Sequence, residues 1–252
     1  MSATGILGRN AGAEWTRLWS VRSSWLFVLG AAAGVIGLSV FVGVSQGASA
    51  PAGGSPWRLA GIFGLLGLFA ILVLTTVAAT ADHATKSIIP TLQWTPQRAI
   101  VVAARAGILV LTAACLGLVL MTAASLVIWV FAPQLTFWSA EGAAALAGAT
   151  LVYATGGLLA VGLGLATRNT AAALTSVFAL MLVLPLILQA FPLDWMVHVI
   201  GGLPGSGAFF FLLGEGPGDT RMTASSSSIV LIAWSVAALA AGTWRLLRTD
   251  AT

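Results

Sequence analysis

Charge is what this chain has least of. Its 252 residues include 11 Lys and Arg and 7 Asp and Glu, 7% in all, where a soluble domain carries about a quarter. With 59% hydrophobic residues and a mean hydropathy of +1.01, it cannot clothe a water-facing surface. The other scarcities exclude chemistry. The single Cys115 allows no intrachain disulfide and reads as packing inside an apolar run. With His83 and His198 on opposite expected sides of the membrane, it cannot assemble a zinc site of ordinary composition. Lysine occurs once, at Lys86 followed by Ser87. A phosphate loop needs glycine at the two positions held here by Thr80 and Thr85, and a strand–loop–helix context. This chain is therefore not a P-loop ATPase.

The 18 charges are also unevenly placed. None falls in 23–57, 59–81, 106–140, 142–167, 169–193 or 222–244. About 20 apolar residues at ~1.5 Å rise span a ~30 Å hydrocarbon core. β-barrel strands would be about 10 residues long and alternating, whereas these runs are long and continuous. Spans must satisfy their own backbone, so the chain is expected to be an all-α integral membrane protein forming a single transmembrane domain over 1–252. Six helices are expected over about 25–44, 61–80, 106–131, 143–166, 171–191 and 229–244. Trp25, Trp57, Trp129, Trp138, Trp195 and Trp244 near their ends fit an aromatic belt. With the N-terminus inside, nine Lys and Arg lie on inner segments and two, Arg58 and Arg221, on outer ones. The positive-inside bias places both termini in the cytoplasm, in a multi-pass protein of the plasma (inner) membrane. The isoelectric point near 10.6 restates that bias and requires no nucleic acid. The first apolar run, about 20 residues, is too long for a signal peptide.

Between the spans, residues 10–24 place Trp15, Leu18, Trp19 and Arg22 on one helical face, with Glu14, Arg17 and Val21 on another. This predicts an N-terminal interfacial helix. Gly30 and Gly34, and Gly61, Gly64 and Gly67, offer small-residue seams. "TRNT" at 167–170 predicts a tight helical hairpin, and Pro185 a kink or break in the fifth span. The outside segment 192–228 is too apolar for a solvated loop. It predicts a re-entrant or interfacial element between the fifth and sixth spans. Within it, Ser206 in "PGSG" is a conceivable nucleophile, but His198 precedes it and no later span supplies a base. The spans also lack the carboxylates that usually couple transport to ions.

The cytoplasmic stretch 81–105, "ADHATKSIIPTLQWTPQRAIVVAAR", is the most water-loving. Pro90 ends one helix. Thr95 and Pro96 read as an N-cap and first helical residue of the next. The two prolines predict a compact, stiff segment. Arg105 reads first as a positive-inside anchor.

This stretch resembles the loop after the second span in membrane subunits of ABC exporters of the second type (ABC-2), particularly small actinobacterial permeases. The family pattern is E-Y-x-x-G-T-I-x-x-T-L-x-x-x-P-x-R. Here Asp82 stands for the Glu, His83 for the Tyr and Ser87 for the Thr. Ile88, Thr91, Leu92, Pro96 and Arg98 match, Arg105 stands for a later basic residue, and Lys86 departs from the Gly. "LPGSGA" at 203–208 is similar to the family's outer Leu-Pro element. The resemblance implies a coupling loop docked into a separate P-loop ATPase subunit. Leu92 and Trp94 would be apolar anchors and Arg98 the partner of an acidic residue; Asp82, His83, Lys86, Ile88 and Pro96 complete the element. It implies a permease subunit with no catalytic site, cofactor or metal of its own, ATP and magnesium being held by the partner. A second permease chain and membrane lipid would be its other partners, and the uncharged spans point to a lipophilic or amphiphilic substrate. A non-transporting anchor or sensor subunit, and a six-span intramembrane hydrolase, are the alternatives.

Overall fold

A computed structural model describes residues 3–84, 98–191, 193–218 and 220–248. Among them there is no strand. Besides a short 3-10 turn at Gly47–Ser49, the described residues form nine helices in order: α1 Ala3–Ser20, α2 Arg22–Gln46, α3 Pro56–Ala84, α4 Arg98–Phe131, α5 Ala140–Thr167, α6 Thr170–Leu188, α7 Asp194–Gly201, α8 Pro204–Leu213 and α9 Ala224–Arg248. Six of these, α2 to α6 and α9, are long and apolar enough to cross a membrane. Each expected span falls within or largely on one of them. The helices run past the expected ends because charged and polar residues were taken as boundaries, and a helix does not stop where it leaves hydrocarbon.

α3 and α5 form the centre. In each, 56% of the most apolar window is buried, against 22% in α2, α6 and α9. The centre is held by close backbone approach and by one hydroxyl. A Cβ added to Gly162 of α5 would lie 2.4 Å from the Ala238 carbonyl carbon of α9, so only glycine admits this crossing. Tyr153, the only tyrosine, is fully buried in α5 and donates its hydroxyl proton to the Gly64 carbonyl of α3 at 2.7 Å. Gly61 and Gly67 face Leu212 and Tyr153 within the chain. That stripe is an internal contact, whereas Gly30 has nothing within 4 Å.

α1 and α2 are separate helices. Val21 adopts an extended conformation (φ −91, ψ 127) that ends the first and starts the second. The first helix is therefore displaced from the expected 10–24, and Arg22 belongs to α2. α5 ends at Arg168 in the left-handed region (φ 56), and Asn169 caps α6 by accepting from Ala172 N at 3.1 Å. This forms the tight hairpin. Pro185 is accommodated rather than breaking α6. A π-helical turn, Ala179–Val183, precedes it, as such turns often do where the i−4 ladder is disturbed. The Met181 carbonyl, which Pro185 cannot serve, faces α8, where a Cβ on Gly205 would come within 2.2 Å of it. α7 and α8 meet at a bend of 81°. Residues 204–209 of α8 are all buried against the bundle.

Candidate functional site

The last turn of α3 and the second turn of α4 flank the 85–97 segment, and both carry a charge that the structure buries. Asp82 is 2% exposed and Arg105 1%. They are paired directly: Arg105 Nη2 donates to Asp82 Oδ2. α1 supplies the other half of the cluster. Arg105 donates to Glu14 Oε1 from Nη2 at 2.8 Å and from Nε at 3.2 Å. Arg17 Nη1 donates to Asp82 Oδ2 at 2.6 Å and stands 3.8 Å from Glu14 Oε1. Among the described side chains, two carboxylates and two guanidinium groups meet in a quartet whose formal charges balance. This is the condition under which burying charge is tolerable.

Local sequence explains how each group gets there. Glu14 and Arg17 are i and i+3 on α1, hence neighbours on one face. Leu18, one residue further on, is buried with Leu74, Val102, Leu109 and Leu246, which seats that face on the bundle. Trp19 packs between Trp15 and Trp25, at ring-centre distances of 5.7 Å and 5.0 Å. Trp25 Nε1 donates to the Trp19 carbonyl at 3.0 Å, tying α1 to α2 across the Val21 break. Arg105 has the fork that the job requires, since one planar guanidinium reaches carboxylates on two different helices.

The quartet corrects the reading of Arg105 as a topology anchor. An anchor keeps its head in water, whereas this head is enclosed by acids from α1 and α3. Asp82, assigned to the coupling element by resemblance, has its carboxylate taken up inside the chain. Arg17, Leu18 and Trp19 sit on α1 as described, and Trp15 is exposed. Arg22 lies apart on α2. His83 and Arg98 fall in the terminal turns of α3 and α4. Their side chains, and Lys86, Ile88, Leu92, Trp94 and Pro96 within 85–97, lie outside the described residues. Sequence reasoning placed Glu14 on a face of the interfacial helix and matched Arg105 as a later basic residue, but missed that the two pair with each other and with Asp82. The available signal was Arg105 itself, an arginine followed by 35 residues without a charge, a costly placement unless it is paired.

No protein-family model and no curated protein matches this chain. The site is therefore read on its geometry. Among the described residues no group of three or more His, Cys, Asp and Glu is placed to hold a metal. Ser206 is fully buried, and its hydroxyl donates to the Ile200 carbonyl at 2.6 Å, which also accepts from Leu203 N at 3.0 Å at the end of α7. His198 is exposed on α7. The quartet joins the last turn of α3 to the second turn of α4, and both to α1.

Proposed function

We propose that this chain is the membrane-spanning permease subunit of an ATP-driven exporter of the ABC-2 type. It pairs with a second permease chain and with separate P-loop ATPase subunits, in the plasma membrane with both termini cytoplasmic, and moves a lipophilic or amphiphilic substrate. One observation carries the mechanical part of the reading: Arg105 and Asp82 clamp the exits of 85–97 and are themselves held by Glu14 and Arg17. A push on a segment with loose ends is absorbed locally. A push on a segment with clamped ends moves α3, α4 and α1 as a unit. α3 is one of the two central helices, so the movement reaches the middle of the bundle. The resemblance of 82–98 to the coupling loop supports the identity of the pushing partner. In this reading α1 is the interfacial helix, and the α7–α8 pair is the re-entrant element on the far side.

The hydroxyl of Ser206, committed to Ile200, favours the permease over the intramembrane hydrolase. Ser206→Ala leaves an exporter working and abolishes a hydrolase.

The test is co-purification from native membranes in mild detergent. Wild type is expected to retain a P-loop ATPase that the Leu92→Asp/Arg98→Glu variant loses. If no ATPase accompanies either protein, the proposal fails, and a non-transporting membrane module takes its place.

A further inference from the structure

At the other end of α3 from the quartet, a groove of about 390 Å³ opens where α3 and α5 begin and α8 ends. Arg58 and Asp82 are 24 positions apart on α3, a helical rise of about 36 Å, so the groove and the quartet occupy opposite ends of the bundle. The volume lies within the roughly 300–1,000 Å³ of small-molecule sites. Ala144, Phe210, Phe211 and Leu213 supply apolar wall, and Arg58 and Glu141 stand at the same opening.

That charged pair is loose. Arg58 Nε is 3.8 Å from Glu141 Oε1, and the side chains are 67% and 54% exposed. A pair of this kind is worth about 0–1 kcal/mol, so a ligand can part it at little cost. Each charge also has independent support. Glu141 lies in the first turn of α5, where a helix favours an anion. Arg58 lies beside Gly214, the left-handed cap of α8: a Cβ there would be 3.5 Å from Arg58 Nη2, where the helix end favours a cation. The opening therefore presents one positive and one negative group above an apolar wall. A ligand with a single charge would satisfy one group and strip water from the other without compensation. A net-neutral zwitterion with an apolar body answers all three features.

We propose that this groove binds a zwitterionic phospholipid, with its phosphate on Arg58, its ammonium on Glu141 and its first methylenes against Phe210 and Phe211. The guanidinium fork suits a phosphate in two-point contact. The proposal deepens the permease reading by naming an amphiphile class. It rests on that reading for translocation of the bound lipid, not for binding.

The test uses the purified full-length chain in detergent micelles, titrated by native mass spectrometry with dihexanoyl phosphatidylethanolamine, its N-acetyl derivative and dihexanoyl phosphatidylglycerol. Wild type is expected to bind the ethanolamine lipid roughly tenfold or more tightly than either of the others, the size of one charge-assisted hydrogen bond. Glu141→Gln should bring the three lipids within about threefold, and Arg58→Gln should weaken all of them by roughly tenfold or more. Equal binding of the three lipids to wild type, binding of none, or an unchanged preference in Glu141→Gln overturns the proposal. The N-acetyl comparison needs no variant and decides the matter even if a substituted chain misfolds. With no ATPase in the assay, a negative result leaves the permease reading standing, and a failed ATPase co-purification leaves a positive lipid result standing.

Discussion

Replacing Arg105 by Met removes the guanidinium that joins three helices while keeping an unbranched chain of similar length. Glu14 then loses both of its close hydrogen bonds and keeps only Arg17 at 3.8 Å. Asp82, 2% exposed, loses Arg105 and retains its contacts to Arg17. Removing one partner of a buried ion pair costs about 3–5 kcal/mol, because the stranded charge remains buried. For a chain of this size that corresponds to a fall of roughly 6–20 °C in unfolding midpoint. Arg17→Met is expected to cost less, about 1 kcal/mol, since its side chain is 33% exposed and water screens the loss. The decisive variant is Arg105→Lys. It keeps the positive charge, so a topology anchor would be unaffected. A lysine cannot serve Glu14 and Asp82 with a rigid fork, so the quartet account expects about 1–3 kcal/mol of destabilisation, the cost of a buried acceptor left unmet. The assay is thermal unfolding in detergent, followed by tryptophan fluorescence and by monodispersity on gel filtration. An Arg105→Lys midpoint within about 1 °C of wild type, well under the shift that 1 kcal/mol would produce, refutes the reasoning.

Other outcomes follow from the packing of the central helices. Tyr153→Phe, which removes the bond to the Gly64 carbonyl, should cost about 1 kcal/mol in the same unfolding assay. Gly162→Val places a side chain where the Ala238 backbone lies 2.4 Å from a Cβ; it should cost about 1–3 kcal/mol through overpacking and loosen α9 in hydrogen exchange. Gly30→Ala meets nothing within 4 Å and should stabilise the isolated chain by up to about 1 kcal/mol through helix propensity.

The spans were legible because an interval without charge is a one-dimensional signal. A run of 23 residues or more free of Asp, Glu, Lys and Arg needs no knowledge of its neighbours. The hairpin at 167–170 and the irregularity near Pro185 were legible for the same local reason, although a π-helical turn rather than a break relieves the proline. The quartet was not legible, because it is made by pairing across 65 and 91 positions. Helical periodicity did sort Glu14 and Arg17 onto their own face of α1. Nothing local showed that this face turns inward onto α3 and α4. Arg105 looked like an anchor because charges at span ends usually are, and only the positions of Asp82 and Glu14 around it make it a clamp. The buried course of α8 was hinted at by its Phe209–Phe211 run. Its fit against the Met181 carbonyl depends on Gly205, which composition alone does not distinguish from its glycine neighbours.

The measurement that bears most directly on the central claim joins the two halves of it. Wild type and Arg105→Lys would each be reconstituted in vesicles with the P-loop ATPase that co-purifies from native membranes, and ATP-driven movement of a fluorescent amphiphile followed alongside ATPase retention. The account predicts that Arg105→Lys keeps the ATPase bound, because 85–97 is unchanged, and loses most of its ATP-driven transport, because the clamp no longer passes the movement to α3. Transport at the wild-type rate with the clamp weakened, or the absence of any ATP-driven transport by wild type, would contradict it.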